Sequence, residues 1–134
     1  MRNTVILGLI IVIVFAATSC KKADTSVYTG TYTGKLTSAN FVKDDVQLTF
    51  TNASNNKTLC LFDIALTKIS ENQFSADAKV VLEIIHLFNA DITADKVSNP
   101  SATFVFEDGE VTMDMKYNSS EQTDNINVRY IGKK

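Results

Sequence analysis

Two cysteines and one histidine are the residues of this 134-residue chain best suited to covalent or metal chemistry. Cys20 closes the run Ala17-Thr18-Ser19-Cys20 at the end of an uncharged stretch. Cys60 lies between Leu59 and Leu61 with no cation or base beside it. Its thiol therefore reads as a small buried hydrophobe and not as an activated nucleophile. His86, in Ile84-Ile85-His86-Leu87-Phe88, has neither a nucleophile nor an orienting acid in its local sequence, so a satisfied histidine on an apolar segment is expected. A zinc centre needs three or four ligands, which His86 and Cys60 alone do not supply. Glu107, Asp108 and Glu110 crowd one turn, but the spaced oxygen ligands of a calcium loop are missing. Those acids, with Asp44-Asp45 and Asp91/Asp95, read as solvated turn residues. Gly30 and Gly34 fall inside an alternating segment and do not form a phosphate cradle. The residue types predict no enzyme, no cofactor and no metal site.

Cys20 is different because of what precedes it. Met1-Arg2-Asn3 carries one positive charge, and Val5 to Ala17 runs without a charged residue. As a helix this run reaches only roughly 20 Å, short of the ~30 Å hydrocarbon core of a bilayer. It has the length of an export-signal core, with small residues before the cysteine. The pattern is similar to the lipobox of bacterial lipoproteins, although Ala17 stands where that motif most often has Leu, Val or Ile. The resemblance implies that residues 1–19 are removed and that the Cys20 thiol and the new amine are acylated. Two or more acyl chains hold a protein stably where one does not. Lys21 does not resemble an inner-membrane retention aspartate, which points to the outer membrane, on either its periplasmic or its outer face.

Beyond the leader, 115 residues remain, enough for one domain with a core that needs no staples. The leader holds Arg2 and no acid, so the remainder keeps all 15 acids against one basic residue fewer than the 13 of the whole chain. Basic residues are scattered, which excludes a nucleic-acid stripe. Residues 20–26 are a short tether, of which the six-residue polar stretch Lys21 to Ser26 reaches about 20 Å at most. With Cys20 acylated, Cys60 has no partner for an intramolecular disulfide.

Residues 27–134 carry the domain. Val27 to Thr37 alternates with period two, placing Tyr28, Gly30, Tyr32, Gly34 and Leu36 on one face. Val46, Leu48 and Phe50 form a second inward row. The cluster 52–57 is a turn, and Thr58 to Lys68 reads as a third strand with Cys60, Phe62, Ile64 and Leu66 on one face. Phe74 to Phe88 fits either a helical stripe or a strand, and the β-branched Val80, Val81, Ile84 and Ile85 favour strand. Pro100 suits a loop. Ala102–Glu107 and Glu110–Tyr117 flank Asp108-Gly109, a strong hairpin signal, and Ile126, Val128 and Tyr130 make a last strand after the polar turn 118–125. About seven or eight short strands joined by turn clusters predict an all-β antiparallel barrel or sandwich, and successive hairpins favour an up-and-down barrel.

Two stretches, Gly30-Thr31-Tyr32-Thr33-Gly34-Lys35-Leu36-Thr37 and Ile126-Asn127-Val128-Arg129-Tyr130-Ile131-Gly132-Lys133-Lys134, resemble the calycin-like bacterial lipoproteins of the lipocalin and streptavidin neighbourhood. The resemblance implies an eight-stranded antiparallel up-and-down calycin-like β-barrel. Gly30-x-Tyr32 is loosely similar to the Gly-x-Trp opening of lipocalins, which makes Arg129 the candidate cation over Tyr32, unless strand parity turns it outward. The resemblance carries no activity.

Two functions remain open. An eight-stranded barrel can hold one small ligand, and the candidate lining for a small apolar ligand is Tyr28, Tyr32, Phe50, Phe62, Phe104, Phe106 and Met113. Alternatively the same side chains fill the barrel, and the domain is an envelope structural or protein-interaction module. An open interior above about 300 Å³ would favour the first.

Overall fold

The computed structural model describes residues 25–53, 56–120 and 125–134. The leader, Cys20 and the tether up to Asp24 lie outside these residues, as do parts of the turns at 52–57 and 118–125. The described chain is mostly antiparallel β-structure, with one short helix. Its strands are β1 (Gly30–Ser38), β2 (Val42–Ala53), β3 (Thr58–Leu61), β4 (Ile64–Ala65), β5 (Thr67–Lys68), β6 (Gln73–Ala76), β7 (Val97–Glu107), β8 (Glu110–Ser119) and β9 (Asn125–Lys133); the helix is α1 (Ala78–His86). The sheet order is β4-β3-β2-β1-β9-β8-β7-β6-β5. Every neighbour is a sequence neighbour except β1 and β9, which join the two ends of the meander. Only Leu66 separates β4 from β5, and its N–H donates to the Leu59 carbonyl at 2.8 Å, so the nine-stranded sheet is nearly closed. The expected count was eight.

Strand parity decides the core. In β1 the buried Tyr32 and Leu36 alternate with exposed Thr31, Thr33 and Lys35, and β2 buries Val46, Leu48 and Phe50 in the same way. Gly34 lies opposite both Val46 and Gly132. A Cβ on Gly34 would sit 1.8 Å from the Ile131 carbonyl oxygen, and one on Gly132 would sit 2.3 Å from the Tyr130 hydroxyl. Glycine at 34 therefore lets β1 and β9 meet, and the Tyr130 ring fills the space beside Gly132. The register slips between Gly34 and Leu36, where Asp45 takes φ +55° and bulges β2.

The segment 58–68 departs from the single strand expected. The chain turns back at Phe62-Asp63, both left-handed at φ +55° and +60°, and Leu61 pairs with Ile64. This is the backbone of a two-residue hairpin turn, built here without glycine. The inward row of β3 is Leu59 and Leu61, set by the pairing of Leu61 with Phe50, and not Cys60 and Phe62.

The expected strand over 74–88 is corrected too. Only Gln73–Ala76 is strand, and Ala78–His86 is α-helix. Asp77 caps it, its carboxylate accepting from the N–H groups of Lys79 (3.0 Å) and Val80 (3.2 Å). Val80, Val81, Ile84 and Ile85 form its buried stripe. The cap and the 3.6-residue period outweigh the β-preference of the four branched side chains, a weak and context-dependent term. β7 begins earlier than the loop expected around Pro100. Its register slips between Ser98 and Ser101, with Asn99 at φ +51°, so the missing Pro100 N–H falls at a bulge. The Asp108-Gly109 hairpin forms as expected, with φ of +52° and +76°.

The register sorts the connections to two ends. The start of β1, the β2–β3 turn, the Asp108-Gly109 turn and the end of β9 share one end. The β1–β2 turn, α1 and the β8–β9 connection share the other.

Candidate functional site

Aromatic side chains occupy the barrel interior. Phe106 sits among Tyr28, Phe50, Tyr32 and Phe74, with ring centroids 4.8, 5.1, 5.7 and 5.8 Å away. Phe50 also meets Phe104 and Tyr32, both at 5.5 Å and nearly edge to face. Such edge-to-face pairs are the favoured arrangement of aromatic quadrupoles. Met113 is fully buried and lies between Phe104 and Tyr130 in the register. Six of the seven candidate lining residues thus come together. They lie in the buried core cluster or, for Tyr28, pack against it.

The seventh, Phe62, stands apart. Its place in the left-handed turn leaves it half-buried beside Gln47, Thr49 and Thr51, on the outward face of β2. Phe62 was expected in an inward row with Cys60, but Leu59 and Leu61 take the inward parity of β3, which leaves Phe62 on the outward one at the start of the turn.

Tyr28 belongs to a 3-10 turn, Ser26–Tyr28, and closes the end where the chain enters. Its hydroxyl donates to the Glu71 carbonyl at 2.9 Å. Burial raises its pKa, with the Glu71 charge adding to the rise. The Tyr32 hydroxyl donates to the Tyr28 carbonyl at 3.0 Å, and burial, then Tyr28, raises its pKa. Tyr130 lies at the centre. Its hydroxyl lies 2.9 Å from both the Tyr32 and the Val46 carbonyl oxygens, and burial pushes its pKa up to about 12.

Arg129 is turned outward, 3.9 Å from Asp114 on β8. The cation over Tyr32 is instead Lys134, whose Nζ is 5.6 Å from the ring centroid and donates to the Val27 and Thr29 carbonyls. Cys60 is a buried free thiol. His86 pairs a ring nitrogen with the Ile92 carbonyl at 2.9 Å. Among the described residues no group of three His, Cys, Asp or Glu side chains could hold a metal ion, and no helix is long and apolar enough to cross a membrane.

A cavity of about 190 Å³ opens at the end opposite Tyr28. Its apolar walls are Phe41 from the β1–β2 turn, Phe88 and Ile92 after α1, and Ile126 of β9. The Phe41 and Phe88 rings lie 4.6 Å apart, tilted by 31°. Ser38, Asn40, Asn89, Tyr117 and Ser119 supply polar atoms. Lys43 holds the end of the helix in place by donating to the Leu87 carbonyl. Burial raises the Tyr117 pKa. This cavity escaped the sequence reading. Tyr117 and Ile126 are visible there as residues of neighbouring strands, but the return of Phe41 and Phe88 over them is a long-range consequence of the fold.

No protein-family model, curated protein or solved structure matches the chain.

Proposed function

We propose that this chain is a bacterial envelope lipoprotein, held through acylated Cys20 to the outer membrane, whose barrel is a solid scaffold for contacts with an envelope protein. The observation that carries the reading is the mutual packing of Tyr28, Tyr32, Phe50, Phe104 and Phe106, which occupies the space an interior ligand would need. The nearly closed sheet also leaves little free strand edge, so a partner meets side chains and turns. The anchor reading rests on the short uncharged run and on Ala17-Thr18-Ser19-Cys20. Thr25 gives it a direction: it is buried, with its N–H on the Asn56 carbonyl at 2.7 Å and its hydroxyl on Asn52 at 2.6 Å. The tether therefore leaves from the Tyr28 end, and the 190 Å³ cavity lies at the end remote from it.

The calycin-like reading takes Ile64–Lys68 as one strand bent at Leu66, pairing with β3 through one half and β6 through the other. Counted so, the barrel has eight strands in up-and-down order. The domain does no catalysis in this account.

Native mass spectrometry of the protein extracted from membranes tests the function. The expected species begins at Cys20, carries acyl mass and holds a protein partner. An unacylated chain overturns the anchor, and a tightly retained small molecule in place of a partner overturns the scaffold reading. A second reading, a small-ligand binder, is favoured by the end cavity alone.

A further inference from the structure

We propose that the end cavity is a binding site for a small uncharged molecule of single-ring size that carries a hydrogen-bonding group. The inference rests on the small-ligand reading and moves the ligand out of the barrel interior.

Size comes first. A dry cavity of about 150 Å³ accommodates benzene, whereas drug-sized ligands need roughly 300 Å³ or more. At about 190 Å³ this cavity suits one ring with a small substituent. Shape agrees: the tilted Phe41 and Phe88 rings and the Ile92 and Ile126 side chains offer apolar contact. Charge comes next. Among the described residues no Lys, Arg, Asp or Glu lines the cavity, so an ionised ligand would lose water without gaining a counter-charge from them.

Tyr117 supplies the polar selectivity. It is 4% exposed, and its hydroxyl has no hydrogen-bond partner among the described residues. No enclosed side-chain nitrogen or oxygen of the described residues lacks a partner, so the Tyr117 oxygen must reach the open space it lines. A phenolic hydroxyl held there by a buried ring both donates and accepts, which fits a ligand hydroxyl or amide. The arrangement is supported from below. Tyr117 faces Ile126 across β8–β9, His86 fixes Ile92, and Lys43 fixes the turn that presents Phe88.

Phenol is the probe, titrated into the ¹⁵N-labelled full-length chain in detergent and followed by amide NMR. Saturable shifts are expected at Phe41, Asn89, Tyr117 and Ile126, half complete at about 1 mM or below, within what so small a ligand can gain. Tyr117→Phe should weaken phenol about 3- to 10-fold and leave benzene unchanged, the loss of one neutral hydrogen bond. Ile126→Trp, which fills the space, should abolish the shifts. Benzoate should bind at least about tenfold more weakly than phenol. Absence of saturable shifts at the four amides, or shifts that persist in Ile126→Trp, overturns the site. Shifts centred on Phe104 and Met113 overturn the placement and restore an interior ligand. Equal binding of benzoate overturns only the uncharged class.

Discussion

Tyr130 is the residue on which the barrel interior turns. Its hydroxyl meets carbonyl oxygens of β1 and β2 from a strand late in the chain, so one side chain ties three strands. Tyr130→Phe should cost about 1–3 kcal/mol in chemical denaturation, with the fold retained. The same residue sets a pH dependence. Its folded pKa is pushed up to about 12, against about 10 for an unfolded tyrosine. Below about pH 10 both states keep the proton and its contribution is complete. From there towards pH 12 the unfolded chain loses the proton first, so stability falls by up to about 1.4 kcal/mol per pH unit. Tyr28, Tyr32 and Tyr117, also raised, act in the same direction. Denaturation midpoints measured across this range should fall less steeply in Tyr130→Phe than in the native chain. At this scale the sequence was readable wherever parity ran unbroken: Tyr32, Phe50, Phe104, Phe106 and Met113 all lie in inward rows. Phe62 was not, because both rows of 59–62 are apolar and Leu59 and Leu61 take the inward one, and because two non-glycine residues then take left-handed backbone to turn the chain, at about 1–2 kcal/mol each. Nothing in the local residue types announces that.

Among the elements, the helix is the most informative departure. Its four buried residues are all β-branched, and propensity alone favours a strand. What decides is the combination of the Asp77 cap with a stripe at positions 80, 81, 84 and 85, which packs α1 over β6 and β7 and plugs the barrel end remote from the tether. A strand there would have buried alternate residues and exposed the others. Asp77→Ala should destabilise the protein by about 1 kcal/mol, and Ile84→Ala by about 2–5 kcal/mol, in denaturant titrations. Equal, small effects of the two would contradict the packed, capped helix. The Asp77 signal was present in the sequence, but a cap only favours a helix whose stripe has a surface to meet. That surface is supplied by strands far away in the chain.

For the whole molecule, closure is the organising feature. Successive hairpins were legible from alternation and from Asp108-Gly109, and so was the up-and-down order. The return of β9 onto β1 was implied by the barrel expectation, but its register was not legible, because it depends on Gly34 and Gly132 lying opposite each other across two elements at opposite ends of the chain. With Tyr28 at one end, α1 at the other and aromatic rings between, the barrel interior holds the buried core, and in the proposed scaffold reading binding falls to the ends and the outer face. The most direct test uses xenon, which enters apolar voids. Methyl-labelled protein, followed by NMR under rising xenon pressure, reports the interior through Met113 and the end cavity through Ile92 and Ile126. The account predicts no saturable shift at Met113, whatever the two isoleucines show. A saturable shift at Met113 would mean a hollow barrel and would contradict it.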